Sequence, residues 1–318
     1  MTGFKSAYTT QLADYVKLRR GLGLRFDVQA AILRQFDRFL VAHAHEGAIT
    51  QALALQFASA NQEVSRAEQA RRYQVVRHFN EYLATFSVGV PRLDPHALRA
   101  PVRPATPRIL TEDELGLLVS AAKKASPTLP VRGPALQAMI GLAACTGLRI
   151  GEVLRLDRQD VDLENALLTI RRTKFAKDRL VPIHPTTREV LREYGLLRDA
   201  AFPTPSGPSF FLNTRGRRFA VPTLEWAMHD LGHRTGLRGS GKKGPRFHDL
   251  RHTFAVHRLV AWYRAGADVQ AKLPLLATYM GHVGFQSTAY YLTATAELLG
   301  LAEERRRRFL EESGCTHE

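Results

Sequence analysis

TGLRIGEVLRL, residues 146–156, decides the fold of this 318-residue chain. It overlaps the end of ALQAMIGLAACTG (135–147), whose apolar residues lie almost all round and predict a central buried helix. Gly147 breaks that helix and can turn Arg149 out of the core. Glu152, three residues later, lies on the same side of the next helical turn and can orient the guanidinium. An Arg-x-x-Glu pair alone is more often a surface ion pair, so its meaning depends on the other motifs.

HDLRH (248–252) is the second informative motif. Three-residue spacing places His248 and Arg251 on one helix face, where an imidazole and a guanidinium can converge on one phosphate. His252, four residues after His248, leaves a zinc pair open. However, Asp249 stands where the glutamate of a zinc-protease motif would be, and no third ligand is obvious. Ordinary helix polarity is the simpler explanation of His252.

MGHVGFQSTAYYL (280–292) is the third motif. It places His282 after a glycine turn and two tyrosines, Tyr290 and Tyr291, eight and nine residues beyond that histidine. A phenol becomes a nucleophile toward phosphorus when its proton is accepted and the transition state is held electrostatically. The resulting phosphotyrosine stores the bond energy and permits rejoining without ATP. A tyrosine pair is more commonly a packing feature, and the segment also resembles a helix-turn-helix DNA reader.

Residues 161–183, VDLENALLTIRRTKFAKDRLVPI, have apolar runs on either side of a polar turn and predict strands joined by a hairpin. Lys174 and Lys177 lie in that turn. A lysine there is usually solvated, but its flexible stem can also bring a proton to a leaving oxygen. Spacing does not decide between the two lysines.

The composition of the chain indicates which kinds of binding partner to expect. The formal net charge is +15 and the pI is about 10.2, which favours a polyanionic partner. Two cysteines, Cys145 and Cys315, suit a reducing compartment, and Cys145 is expected to be a small core residue. We expect no export signal, no membrane span, no metal and no ATP, because the corresponding sequence patterns are missing. A cytoplasmic, nucleoid-associated protein is expected, without a small-molecule substrate.

Five prolines in residues 90–107 predict a semi-rigid connector between two domains. Residues 1–89 carry apolar residues at helical spacing and predict about four helices. Residues 108–300 are expected to form a mixed helical and strand domain, in which Thr111 and Glu114 predict a capping box. Several basic side chains are candidate DNA contacts, although each cluster can also be a solvated helix face: Lys17, Arg19, Arg20, Arg71, Arg72, Arg77, Lys242, Lys243 and Arg246.

The ordered motifs resemble those of the tyrosine recombinase (phage integrase-like) family over essentially all of 107–300, and more weakly in the N-terminal part. The family's first arginine and its acidic residue fall on Arg149 and Glu152, and its hairpin lysine falls on Lys174. Its later signatures fall on the remaining positions, which are His248, Arg251, His282 and Tyr291.

The resemblance implies a mainly α, two-domain fold with a SAM-like four-helix core-binding domain and a catalytic domain containing a small antiparallel sheet. It implies a clamp around duplex DNA and a tetramer on two DNA sites, with sister recombinases in some systems. Tyr291 would form a 3′-phosphotyrosyl link. Arg149, Arg251 and His282 would stabilise the transition state, Lys174 would be the general acid, and His248 would assist proton transfer at the tyrosine. The tail, residues 301–318, resembles a segment that docks into a neighbouring subunit.

The sequence departs from the family pattern in two respects, and two alternative functions remain. The run between Arg251 and His282 is longer than usual, and Tyr290 is a competing nucleophile, although spacing favours Tyr291. A type IB topoisomerase would use similar chemistry. A non-catalytic DNA-binding regulator would carry the same basic surface without using the tyrosine.

Overall fold

The chain splits into two compact units, residues 1–105 and 106–318. The computed structural model describes residues 3–24, 26–99, 107–125, 130–171, 178–204, 206–239, 244–282, 288, 290–293 and 296–312. Four lysines named above lie outside these residues: Lys174, Lys177, Lys242 and Lys243.

The first unit is helical, as predicted. Side-chain caps define the starts of two helices, because Thr50 accepts a hydrogen bond from the Leu53 amide and Ser65 from the Glu68 amide. The core is rich in aromatic rings, including Tyr15, Phe36, Tyr73 and Phe79. Its helices are α1 (Thr9–Gly21), α2 (Asp27–Ala42), α3 (Gln51–Ser59) and α4 (Arg66–Ala84).

The start of the proline-rich segment packs against this unit. The hydroxyl of Tyr73 donates to the Asp94 carbonyl at 2.6 Å, and the amide of Asn80 donates to the Pro91 carbonyl at 2.6 Å. Leu93 is buried in the same core. These bonds satisfy backbone carbonyls that a proline-rich segment cannot satisfy through regular secondary structure.

The second unit combines helices with one small sheet. Its first helix has the predicted capping box, in which Thr111 and Glu114 satisfy each other's backbone amides. Short 3-10 turns occupy Arg158–Asp160 and Tyr290–Thr293. The helices are α5 (Glu112–Lys123), α6 (Arg132–Thr146), α7 (Ile150–Arg155), α8 (Pro185–Ala201), α9 (Val221–Arg234), α10 (Phe247–Arg264), α11 (Val269–Met280) and α12 (Ala296–Glu312).

The predicted strands form an antiparallel sheet. Its strands, in spatial order, are β1 (Val161–Asp162), β2 (Leu167–Ile170) and β3 (Arg179–Pro182). Ile170 is opposite Arg179, and Leu168 is opposite Val181. Leu168, Ile170 and Val181 point into the core, so this alternation fixes one face of the hairpin against the helices.

Helix α6 is largely buried, as its composition predicts, but the expectation for Cys145 is wrong. Its thiol is exposed. Gln137, Gly141 and Cys145 lie four residues apart along one stripe of α6, and this stripe faces away from the core. A helix that is apolar on most faces can therefore still expose a narrow stripe.

Helix α12 begins at Ala296 and includes the first part of the tail. It packs beside α10, where Leu298 is fully buried and Arg264 pairs with Glu297 at 2.6 Å. The long run between the second and third motifs contains most of α10, a turn and nearly all of α11. None of the helices described has the length and apolar character needed to cross a bilayer.

Candidate active site

Glu152 lies between two arginines at the start of α7. Arg149 Nη1 donates to Glu152 Oε1 at 3.0 Å, and the Arg149 backbone amide donates to Oε2 at 3.0 Å. Arg179 of β3 donates from Nη1 to Oε1 at 3.1 Å and from Nη2 to Oε2 at 2.9 Å. Burial raises the pKa of Glu152, but hydrogen bonds and charge from Arg179 and Arg149 outweigh it, so the net pKa is lowered. The carboxylate is therefore ionised and holds both guanidinium groups.

Arg149 and Arg179 also hold the turn that leads to His282. Arg149 Nη2 donates to the Gly281 carbonyl at 3.0 Å, and Arg179 Nε donates to the Tyr279 carbonyl at 2.9 Å. Gly281 ends α11 with φ +71°, and a Cβ there would lie 2.7 Å from Nη1 of Arg179. Glycine is required on both counts, since it accepts a positive φ and leaves room for the guanidinium.

Arg251 is buried to 2 % exposure on α10. Its Nη1 donates to the Gly147 carbonyl at 2.6 Å, whereas the buried Nη2 has no hydrogen-bond partner among the residues that the structure describes. Burial, followed by the positive charge of Arg149, lowers the pKa of Arg251 to about 10, so the group is still charged at neutral pH. A buried charged donor without an acceptor is costly, which makes this position well suited to an anion.

Tyr291 reaches this cluster from the short 3-10 turn. The side chain is 3 % exposed, and its hydroxyl lies 3.0 Å from Nδ1 of His252. It also contributes to the pKa of Arg251, which it raises. The family resemblance assigns assistance with proton transfer at the tyrosine to His248, whereas the hydroxyl of Tyr291 contacts His252 in the structure. The ring of His248 packs edge-on against His252, with 4.6 Å between the ring centroids.

His282 stacks near the same phenol, with 6.4 Å between the His282 and Tyr291 ring centroids. Its Nδ1 lies 2.6 Å from the hydroxyl of the fully buried Thr288. This contact fixes the ring plane, and when Thr288 donates, the proton of His282 resides on Nε2, which can then donate to an oxyanion.

All three histidines of the cluster have lowered pKa values. Burial is the largest cause in each case. The positive charge of Arg251 also lowers the pKa values of His248 and His282, and the pKa values of His252 and His282 fall to about 4. The rings are consequently neutral at physiological pH and can accept or donate single protons.

The structure thus brings Arg149, Glu152, His248, Arg251, His282 and Tyr291 into one region of the second unit, while Lys174 lies outside the described residues. The sequence motifs did not predict the pairing of Arg179 with Glu152 or the contact of His252 with the Tyr291 hydroxyl. Within the described chain, no three His, Cys, Asp or Glu side chains cluster as metal ligands would. The side chain of Tyr290 is not described.

The basic side chains that are candidate DNA contacts differ in their exposure and in their ion pairs within the protein. Lys17 is exposed, Arg19 lies over the ring of Tyr15, and Arg20 pairs with Asp27 at 3.1 Å. Arg246 is well exposed and pairs with Asp249 next to the site. On α4, three arginines pair with glutamates of the same helix, namely Arg71 and Arg72 with Glu68 and Arg77 with Glu81.

Comparison with known proteins identifies a family for this chain. The model of the "Phage integrase family" matches residues 108–297. The integrase/recombinase y4rE of Sinorhizobium fredii is 43 % identical over 305 residues, which cover 96 % of this chain and 97 % of the relative. The tyrosine recombinase XerC of Pelotomaculum thermopropionicum is 31 % identical over 75 % of this chain and 74 % of its own length.

Solved structures share the fold. A post-cleavage complex of the XerH site-specific recombinase with a palindromic difH substrate superposes with a TM-score of 0.62 at 20 % identity, over 98 % of this chain and 84 % of that one. The Tn1549 transposon integrase bound to transposon right end DNA gives a TM-score of 0.62 at 16 % identity, over 94 % and 99 % of the two chains.

Proposed function

Because the chain belongs to the phage integrase family of tyrosine recombinases, we propose that it cleaves and rejoins DNA through a 3′-phosphotyrosyl intermediate on Tyr291. Members of this family are enzymes that carry out site-specific DNA recombination. The proposal adds the reaction intermediate and the residues that form it. It requires neither metal nor ATP.

One observation carries the proposal. Nη2 of Arg251, which has no hydrogen-bond partner within the described part of the chain, is buried in the region that also contains Arg149, His282 and the hydroxyl of Tyr291. A DNA phosphate would supply the missing acceptor, and the same phosphate would then lie beside a nucleophile. Preorganised cationic donors of this kind stabilise the charge that develops on the equatorial oxygens.

The roles follow from the contacts. Arg149 and Arg251 would hold the non-bridging oxygens, and His282 would donate from Nε2 to one of them. Tyr291 Oη would attack phosphorus and displace the 5′-oxygen of the next nucleotide. Lys174, which lies between β2 and β3 in the sequence, would protonate that leaving oxygen. Glu152 would keep Arg149 in place through the bonds described above.

Double-stranded DNA is the proposed partner, in line with the net charge of +15. We propose that residues 1–89 form the core-binding domain, residues 90–107 the linker and residues 108–300 the catalytic domain. We further propose a tetramer on two DNA sites, with the tail, residues 301–318, docking a neighbouring subunit, and association with the nucleoid. Integration or transposition is the proposed biological setting.

The decisive experiment traps the intermediate. The protein is incubated with a nicked suicide DNA made from the sequences that flank its gene, and the mixture is denatured in detergent. We expect a protein–DNA adduct from the wild type and from Tyr290→Phe, and none from Tyr291→Phe, which should still bind the DNA. Normal function of Tyr291→Phe would indicate a non-catalytic regulator instead.

A second assay separates recombination from topoisomerase activity. The protein is given either one supercoiled plasmid or two DNA molecules that each carry a site. Strand transfer between the two molecules is expected of a recombinase. Relaxation of the plasmid by a monomer, without strand transfer, would identify a type IB topoisomerase and contradict the recombinase proposal.

A further inference from the structure

We propose that His252 is a catalytic residue, which accepts the phenolic proton of Tyr291 during cleavage and returns it during rejoining. The inference rests on the proposed function, and it names a residue to which the sequence motifs gave no role. His252 Nδ1 lies 3.0 Å from Tyr291 Oη, which is hydrogen-bond distance for direct proton transfer.

The surroundings of the pair favour transfer to this ring. Tyr291 is 3 % exposed, so bulk water has little access to the phenol. His252 is held by its position one residue after Arg251 on α10 and by the edge-on ring of His248. The ring centroids of His252 and Tyr291 lie 5.4 Å apart at an interplanar angle of 61°, so the phenol is restrained on its ring face as well as at its hydroxyl.

The protonation state of His252 also suits a proton acceptor. Burial keeps His252 neutral at physiological pH, and a neutral imidazole with its proton on Nε2 has a free lone pair on Nδ1. The lone pair then faces the phenolic hydrogen. In the other neutral tautomer Nδ1 carries a proton and can only donate to Tyr291 Oη, so proton acceptance requires the tautomer with its proton on Nε2.

Bound DNA changes the basicity of His252 in the required direction. The charged or titratable groups that set its pKa, after burial, are His248, Asp249, Arg246 and Arg251. A phosphate held by Arg251 offsets the positive charge that now disfavours the imidazolium. This charge compensation raises the pKa of His252 when the substrate binds, which is the direction that makes the ring a better proton acceptor.

Cleavage exchanges one phosphorus–oxygen bond for another and moves two protons. As the bond from Tyr291 Oη to phosphorus forms, the phenolic proton passes to Nδ1 of His252, giving an imidazolium. The bond from phosphorus to the 5′-oxygen breaks, and that oxygen takes a proton from Lys174. In rejoining, the 5′-hydroxyl returns its proton to Lys174 as its oxygen attacks phosphorus, the phosphotyrosine bond breaks, and His252 returns the other proton to the phenolate.

Two substitutions separate proton transfer from positioning. In His252→Asn the amide oxygen occupies the place of Nδ1, so it can hold the phenol by a hydrogen bond but cannot accept its proton. His252→Ala removes both capacities. His257→Asn, on the same helix, is the matched control. Single-turnover cleavage of the suicide DNA is measured for each protein, together with DNA binding.

If His252 is the base, both variants lose about 10²-fold or more in cleavage rate with DNA binding retained, and His257→Asn cleaves as the wild type does. Near-normal cleavage by His252→Asn would overturn the proposal, because it would show that holding the phenol is sufficient. Failure of the wild type to form an adduct would instead contradict the proposed function as a whole.

A pH profile provides the independent readout. The wild-type cleavage rate should rise with pH as His252 loses its proton, and this rise should be absent from His252→Asn but present in His257→Asn. If neither variant at position 252 folds, a wild-type rate that is independent of pH between about 4 and 7.5 would still overturn the proposal, because it would exclude a histidine as the proton acceptor.

Discussion

Arg179 donates two parallel hydrogen bonds to Glu152, from Nη1 to Oε1 at 3.1 Å and from Nη2 to Oε2 at 2.9 Å. This bidentate pair connects the last strand of the sheet to the helix that follows Arg149. Since the Glu152 side chain is 3 % exposed and that of Arg179 is 12 % exposed, the pair is largely shielded from water. It links the hairpin to the arginine that would bind phosphate.

Loss of Arg179 should weaken the whole second unit. Arg179→Ala is expected to lower the free energy of unfolding by about 3 kcal/mol. The buried Glu152 carboxylate would then keep its hydrogen bonds from Arg149 but lose both bonds and the positive charge of Arg179. Arg179→Lys should recover only part of this loss, because an ammonium cannot make the planar two-bond contact. Urea denaturation measures the change. Arg192→Ala, which removes an exposed pair with Glu189, is the control and should cost about 0–1 kcal/mol.

Gly147 should be intolerant of any side chain. It has φ +64°, and a Cβ would lie 2.6 Å from Cδ1 of Phe254. Gly147→Ala is expected to cost about 1–3 kcal/mol and to slow cleavage, because the displaced carbonyl no longer anchors Arg251. As a control, Gly116→Ala in α5 meets no neighbouring atom and should instead stabilise the fold by about 0.5–1 kcal/mol. Equal stability of the two variants would contradict this account.

Arg251 should matter more for reaction rate than for binding. Arg251→Lys keeps a positive charge but loses the fork that places Nη2 beside the phosphate site. We expect single-turnover cleavage to fall by about 10²–10³-fold, as for loss of one preorganised transition-state donor, with a much smaller change in DNA affinity. Arg264→Lys, an exposed position on the same helix, should cleave normally. A variant that binds weakly but cleaves at the normal rate once saturated would refute the assignment.

Lys174 can be tested through the leaving group. Lys174→Met should cleave ordinary DNA slowly, because the 5′-oxygen leaves without a proton donor. A DNA with sulfur in place of that bridging oxygen needs no such protonation, so it should restore the rate for Lys174→Met and leave His252→Asn slow. Lys177→Met is the control, and rescue of Lys177→Met in place of Lys174→Met would move the role to the second lysine.

Acidification should destabilise the protein through two half-buried histidines. The folded-state pKa values of His252 and His282 lie at about 4, below the ordinary 6.5. Between these values the unfolded chain binds protons that the folded chain does not, so the free energy of unfolding should fall as pH decreases through this window. Urea denaturation at several pH values measures the slope. The double variant His252→Asn, His282→Asn should show a shallower dependence.

Much of this arrangement could be predicted from local pattern. The apolar run before Gly147, the three-residue spacing of His248 and Arg251, and the alternation around Leu168 each depend on the period of one helix or strand. Those periods place side chains on a face without knowledge of the rest of the fold. Spacing within the ordered motifs likewise favoured Tyr291 as the nucleophile.

The missed contacts depend on tertiary packing. His248 and His252 share one helix face, and only the position of the 3-10 turn shows that the phenol meets His252. Arg179 lies in a strand where a charged residue usually faces solvent, and its partner Glu152 is 27 residues away. Cys145 was misplaced for a related reason, since its exposure depends on which stripe of α6 the neighbouring elements leave uncovered.

Main-chain oxygens hold both guanidinium groups of the proposed phosphate site: Gly147 for Arg251 and Gly281 for Arg149. Peptide oxygens are present at every position, so exchanging side chains cannot delete these two acceptors. Alanine-scanning mutagenesis would consequently not detect these two acceptors. The exceptions are the two glycines, where alanine would change the backbone conformation. Engineering of altered target preference can therefore vary the surrounding surface widely, provided that those two turns are left untouched.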